Sequence, residues 1–364
     1  MADNIKNGNA NESSAASSLP NDIELQEFFS QWEMLCQEDI SSQDYYFNSY
    51  AHFGVHEEML KDSIRTGAYQ RAILDNHHLF RDKIVLDVGS GTGILCLFAA
   101  KAGAKHVYGI ECAEIVEMAK KITTLNKMND RITYVKGKAE EVELPVEKVD
   151  IILSEWMGYF LLYESMLDSV LFCRDKWLKP NGLIFPDRAA LYIAAIEDAE
   201  YKEEKVGYWR DVYGFDYSCV KPCILEEPIV DSVDENAIAT TQCCILDLNL
   251  NTCKKEFLNF CAPYKLFVTR RDFLHAFVAW FDITFTACHK PVGFTTAPFS
   301  GPTHWKQTVL YMEDVLIADK KDVVEGIIAV RKSAKNHRDL DIKISYKFNC
   351  ASGSTNRTQF YRLR

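Results

Sequence analysis

The period of the hydrophobic positions changes along the chain near residue 186. Before that point, short apolar runs alternate with stretches of helical spacing. Residues 84–88 (Ile-Val-Leu-Asp-Val) form an apolar run ending in glycines, the pattern of a buried parallel strand. Residues 94–102 repeat at helical intervals, and strand-like 107–110 follows. A second helix is expected over 114–126, a third strand over 132–135 and a fourth over 149–153. Strand, helix, strand, helix, strand predicts a parallel sheet with helices on its faces. Upstream, Met59, Leu60, Ile64, Tyr69, Ala72 and Ile73 predict one helix within 57–78.

After Pro186 the spacing becomes that of alternating strands, expected over 191–196, 241–250, 264–269, 277–285 and 342–348. This half reads as an antiparallel barrel or sandwich, with the boundary at about 186/187. Tyr201, Tyr208, Trp209, Tyr213, Phe215 and Tyr217 crowd a strand-poor insertion, an interface candidate. At the other end, residues 1–19 are polar and predict a disordered tail. Phe28, Phe29, Trp32 and Leu35 predict a helix over 22–38 within an extension that runs to residue 44.

Composition narrows the function. The chain has 364 residues and a net charge of −11, which opposes bulk binding to nucleic acid phosphates and suits a cationic partner. Twelve cysteines are scattered without zinc-ligand spacing, as expected of a reduced, intracellular protein with no metal. The beginning of the chain lacks the pattern of a secretory leader, and no apolar run is long enough to span a membrane.

Two motifs carry chemistry. The first is Val88-Gly-Ser-Gly-Thr-Gly-Ile94, which lies between a strand and a helix. Gly89 and Gly91 fit the first two places of a dinucleotide fingerprint, but the third glycine is Gly93 and its usual place holds Ile94. Glu111, at the end of the second strand, suits ribose hydroxyls. Asp87 beside the loop is awkward for a pyrophosphate and comfortable for an amino group or a sulfonium. A dehydrogenase using a dinucleotide is the competing reading. The second motif is Ser154-Glu-Trp-Met-Gly-Tyr-Phe-Leu-Leu-Tyr-Glu164, after the fourth strand. Ligands bind beyond the carboxyl ends of such strands. Gly158 permits a turn that brings Glu164 back to face Glu155. Two carboxylates in apolar surroundings are costly unless a cation pairs with them. A guanidinium, with five donors in a rigid fork, suits the pair best.

Both motifs resemble those of the type I protein arginine methyltransferases, S-adenosylmethionine-dependent enzymes. The resemblance runs from Tyr45 to Arg364. It rests on five motifs in order: Tyr45-Tyr-Phe-Asn-Ser-Tyr-Ala-His-Phe-Gly54, His56-Glu-Glu-Met-Leu-Lys-Asp62, the glycine loop, the double-glutamate loop and Thr303-His-Trp305. It implies a Rossmann-like methyltransferase domain over 45–186, then a β-barrel-like domain over 187–364 with a helical dimerisation arm at about 199–233. It implies that Glu155 and Glu164 clamp the substrate guanidinium. His56, Arg65, Asp87, Gly89, Gly91, Glu111 and Glu140 would bind S-adenosylmethionine, with Arg65 on its carboxylate and Glu140 on its adenine. His304 and Asp62 would take up the lost proton. Met59 and Met157 would crowd the pocket, so that both methyl groups go to one nitrogen. The implied product is asymmetric dimethylarginine on Gly/Arg-rich proteins and histone tails, made by a homodimer or larger oligomer in cytoplasm and nucleus.

Overall fold

The computed structural model describes residues 50–350 and 353–364. The expected tail over 1–19, the helix over 22–38 and residues 45–49 of the first motif lie outside the described residues. Among those described, the first half builds one parallel sheet. Its strands are β1 (Ile84–Val88), β2 (His106–Glu111), β3 (Ile132–Lys136), β4 (Val149–Leu153) and β5 (Leu178–Phe185), in the order β3-β2-β1-β4-β5. The order reverses between β1 and β4. Loops leaving those two neighbours diverge and open a crevice, the usual ligand position in such sheets. Every buried position of β1 beyond Ile84 is inaccessible or nearly so, which accounts for its continuous apolar run.

The single helix expected within 57–78 is three: α1 (Phe53–Lys61), α2 (Ser63–Leu74) and α3 (His77–Phe80). The break falls at Asp62, whose backbone is extended and whose side chain accepts from the Arg65 amide at 2.9 Å. Aspartate favours this capping role over a helix interior, where its side chain competes for backbone donors. The apolar spacing of Met59, Leu60 and Ile64 runs through the break and so conceals the cap. The remaining main helices of this half are α4 (Ile94–Lys101), α5 (Val116–Leu125) and α6 (Met166–Trp177).

The second half is two antiparallel sheets. One runs β7-β12-β10-β6-β8 with β11 also on β10; the other runs β15-β14-β13-β9. Their strands are β6 (Arg188–Ile196), β7 (Ile229–Asp231), β8 (Cys243–Asn249), β9 (Phe260–Phe267), β10 (Asp272–Phe285), β11 (Val292–Thr295), β12 (Gln307–Ala318), β13 (Val323–Lys332), β14 (Leu340–Cys350) and β15 (Gly353–Leu363). The sheets share a core in which Phe277 meets Tyr264 and Tyr346 edge to face. That core is continuous with the parallel half through Phe185 and Phe285, and the described residues belong to one compact unit. Between β6 and β7 lie α7 (Ala199–Lys202), short irregular turns and α8 (Lys221–Glu226). The aromatic insertion is helical over 199–210 and 218–226, and between them residues 211–217 form a turn in which Val212 bridges Phe215. Tyr208, Tyr213, Phe215 and Tyr217 are exposed on it, Tyr213 at 93%.

One residue ties the halves together beneath the crevice. Tyr69 of α2 is fully buried, packs edge to face on Phe285 and donates to the Ser154 carbonyl at 2.9 Å. Removing its hydroxyl leaves that buried carbonyl without its donor. Tyr69→Phe is expected to lower stability by about 1–3 kcal/mol. Urea unfolding should show this as a lower midpoint at an unchanged slope.

Candidate active site

The glycine loop is built for close approach. Gly89, Gly91 and Gly93 all have positive φ (72°, 53° and 86°), a conformation that other residues adopt only with strain. A Cβ on Gly89 would lie 2.1 Å from the Cε of Met166, whose flexible end would have to swing aside, so the positive φ is the stronger reason for glycine there. The loop is held by Glu111, whose two carboxylate oxygens accept from the amides of Gly91 and Ala113, each at 2.8 Å. A carboxylate has about four acceptor sites, so capacity remains for hydroxyl donors.

Asp87 lies fully buried under the loop. The Cys96 thiol donates to its Oδ2 at 3.1 Å, while its Oδ1 has no partner within the protein. Burial pushes this carboxyl up to about 7, against the Cys96 hydrogen bond, and the negative charge of Glu111 adds to the rise. A buried acceptor without a donor is rare in native proteins and marks a place for a ligand or ordered water. A cationic sulfonium or ammonium nearby would offset the unfavourable charge, whereas a pyrophosphate would worsen it. The residues present therefore fit S-adenosylmethionine and not a dinucleotide.

The double-glutamate loop turns as its glycine suggests. Gly158 pairs with Leu161 across a tight turn, and a Cβ on Gly158 would sit 2.0 Å from the Tyr163 carbonyl oxygen. Phe160, Leu161, Glu164 and Ser165 all take positive φ, an unusual concentration of strained backbone. Glu155 and Glu164 then line one cleft of about 840 Å³ together with His56, Met59, Arg65, Gly89, Gly91, Glu111, Glu140, Met157 and His304. That volume suits a cofactor-sized ligand. Asp62 and Asp87 stand just behind the wall.

The two glutamates differ in environment. Glu155 is paired: Nε and Nη2 of Arg65 both donate to its Oε2, at 3.1 and 2.9 Å, and both side chains are buried. Nη1 of Arg65 is held by the Met59 carbonyl and the Thr66 hydroxyl. Sequence reasoning had given Arg65 to the cofactor and did not foresee this ion pair. Among the described residues, Glu164 forms no such ion pair. It accepts from the Tyr50 hydroxyl at 2.9 Å, and burial pushes it up to about 7. Tyr50 opposes that rise, the nearby charge of Glu155 adds to it, and Arg338 opposes it. Tyr50 lies inside the first motif, but no local pattern indicates what its hydroxyl meets.

His304 and Asp62 come together across 242 residues. The His304 Nδ1 lies 2.8 Å from Oδ2 of Asp62, which also accepts from the His304 amide at 3.0 Å. Burial would raise the Asp62 carboxyl, but hydrogen bonds from the His304 ring, the Arg65 amide and the His304 amide outweigh it and hold it below the usual range. An ionised Asp62 assigns the proton to Nδ1 and leaves Nε2 as the acceptor. Trp305 fixes the neighbouring backbone by donating from Nε1 to the Met157 carbonyl at 2.8 Å. His56 is buried with its Nε2 at 2.9 Å from the Tyr50 carbonyl. Glu140 is exposed at the rim and accepts from the Ser169 hydroxyl at 2.6 Å.

The chain is similar to known proteins along most of its length. Residues 187–352 match the arginine methyltransferase oligomerization subdomain, and residues 85–182 match a methyltransferase domain. The protein arginine N-methyltransferase 1 of Schizosaccharomyces pombe is 60% identical over 310 residues, covering 85% of this chain and 91% of that protein. That of Chlamydomonas reinhardtii is 57% identical over 328 residues, covering 90% and 95%. Among solved structures, the Trypanosoma brucei PRMT1 enzyme–prozyme heterotetrameric complex with AdoHcy matches with a TM-score of 0.85 at 43% identity, covering 87% of this chain and all of that one. Arabidopsis thaliana protein arginine methyltransferase 10 matches at 0.79 and 29% identity, covering 88% of this chain and all of that one. With the same fold and so high an identity along most of its length, the chain belongs to the protein arginine N-methyltransferase family.

Proposed function

We propose that this S-adenosylmethionine-dependent arginine methyltransferase holds its substrate guanidinium between Glu155 and Glu164 and makes asymmetric dimethylarginine. The observation that carries this reading is the shared cleft of the two carboxylates, one already neutralised by Arg65 and the other left without a full counter-charge. An incoming guanidinium would relieve the second. Its affinity would come largely from that relief, because a buried carboxylate gains most from a cation it did not have before. Glycine- and arginine-rich segments and histone tails are cationic and suit a chain of net charge −11.

When bound, S-adenosylmethionine supplies an electrophilic methyl group on a sulfonium. The protein's residues do the rest. Arginine stays protonated at neutral pH, with its lone pairs delocalised. Carboxylates that attract charge to one part of the guanidinium leave electron density on another nitrogen and orient it, worth several orders of magnitude in effective concentration. His304, its tautomer set by Asp62, has Nε2 to receive the proton that must leave. Met59 and Met157 crowd the cleft, and this supports a second methylation on the same nitrogen. Oligomerisation belongs to the family's second domain. The exposed aromatics of the arm support its use as a homodimer contact.

Two outcomes are expected. A Gly-Arg peptide incubated with the enzyme should yield mono- and asymmetric dimethylarginine, told from the symmetric isomer by neutral loss in mass spectrometry. Glu164→Gln should cut kcat/KM by about a hundredfold or more while S-adenosylhomocysteine still binds. Retained activity would remove Glu164 from the clamp, and symmetric product would remove the methionines from their role.

A third outcome concerns Asp87. With its carboxyl near 7, it is largely protonated at pH 6, and a bound cation favours its ionised form. Cationic S-adenosylmethionine should therefore bind more tightly as pH rises from about 6 to 8 and release a proton on binding. The uncharged thioether of S-adenosylhomocysteine should show a weaker trend. Calorimetry in two buffers of different ionisation enthalpy measures both. Identical pH-independent binding of the two would rule out this role for Asp87.

A further inference from the structure

Glu164 follows β4 of the parallel sheet, yet its backbone is held from elsewhere. Its amide donates to the Arg338 carbonyl at 2.8 Å, and Nη1 of Arg338 donates to the Glu164 carbonyl, also at 2.8 Å. The Ser165 hydroxyl donates to the neighbouring carbonyl of His337. Both His337 and Arg338 lie in the turn between β13 and β14, in the antiparallel half. Three residues on, Asp168 is paired with Lys332 of β13 and with Lys255 at 3.1 Å.

These contacts hold a segment that would not keep its shape alone. Glu164 and Ser165 have φ of 73° and 59°, a conformation that non-glycine residues adopt only with strain. Such strain persists only where surroundings over-determine it. The turn that supplies the contacts is itself tied. The Arg338 amide donates to Asn336 Oδ1 at 3.2 Å, Asn336 Nδ2 to Asp339 Oδ1 at 2.9 Å, and the Ser333 amide to the Asp339 carbonyl at 2.9 Å. By contrast, Glu155 directly follows β4 and is fixed by Arg65 of the parallel half. The two glutamates of one loop are therefore anchored to different halves of the molecule.

We propose that Arg338 is a positioning residue for methyl transfer: from the β13–β14 turn it holds the strained backbone of Glu164 so that its carboxylate faces Glu155 across the cleft. Arg338 acts through Glu164 and so rests on the reading of Glu164 as a guanidinium acceptor. Its guanidinium also lies close enough to lower the Glu164 carboxyl. Its loss should therefore show both as misplacement and as a change in titration.

The test compares Arg338→Ala, Arg338→Lys and Glu164→Gln in the full chain. It measures kcat and KM for a Gly-Arg peptide from about pH 6 to 9, and S-adenosylhomocysteine affinity by calorimetry. Arg338→Ala is expected to lower kcat about ten- to a hundredfold, the cost of a misplacement of about 1 Å, with cofactor affinity changed less than about twofold. The acid limb of kcat/KM should move to higher pH, because Glu164 has lost a neighbouring cation. Arg338→Lys keeps a cation but not the rigid fork, so its acid limb should stay near wild type while kcat remains reduced. Wild-type kcat and an unmoved limb in Arg338→Ala would overturn the proposal. If Arg338→Ala does not fold, wild-type kcat in Arg338→Lys overturns it, and reduced kcat at unchanged cofactor affinity supports it. Glu164→Gln separates the two ideas. An active Glu164→Gln enzyme defeats the clamp itself. An inactive one beside a wild-type Arg338→Ala enzyme defeats only the positioning.

Discussion

A carboxylate buried away from water must find a donor or a cation, or else keep its proton. The cleft of this enzyme is organised around how five carboxylates meet that demand. Glu155 has Arg65, Glu111 has two backbone amides, and Asp62 has the His304 ring and two amides. Those three are compensated by the protein. Asp87 has one thiol donor, and Glu164 has one hydroxyl donor and the more distant charge of Arg338. Burial raises both to about 7. One stands under the glycine loop and the other on the double-glutamate loop. On the proposed reading, these are the ends that receive the two cations of the reaction, the sulfonium and the guanidinium.

The fold explains why the acids can meet. A sheet order that reverses between β1 and β4 sends the glycine loop and the double-glutamate loop to opposite sides of one crevice. The antiparallel half then closes that crevice. It contributes His304 from the approach to β12 and the β13–β14 turn behind Glu164. Deep packing of Tyr69, Phe185 and Phe285 makes the halves one body, so a group on either side is placed accurately against the other. On the proposed reading, neither half holds the whole clamp.

Much of this was legible in the residues. The 84–88 and 149–153 strands were read at their observed bounds, because buried parallel strands are continuous apolar runs flanked by turn residues. Gly158 and the apolar link to Glu164 foretold a return turn. Other features were hidden for physical reasons. The cap at Asp62 lay within unbroken helical periodicity. β15, with the sequence Gly-Ser-Thr-Asn-Arg-Thr-Gln-Phe-Tyr-Arg-Leu, is too polar to announce a strand and owes its form to eleven register pairs with β14. The Arg65–Glu155 pair spans 90 residues, and the Arg338–Glu164 contact 174. No local pattern encodes such meetings; they follow from topology.

The protonation of Glu164 is where electrostatics and function join most closely. Difference infrared spectroscopy at about pH 6.5 can follow its carboxylic acid band, assigned with Glu164→Gln, in enzyme saturated with S-adenosylhomocysteine. An arginine peptide should abolish the band, because the guanidinium draws the carboxyl into its ionised form. The same peptide with neutral citrulline should leave it. A band unchanged by arginine, or equally lost with citrulline, would contradict a clamp that works by supplying a buried carboxylate with its missing cation.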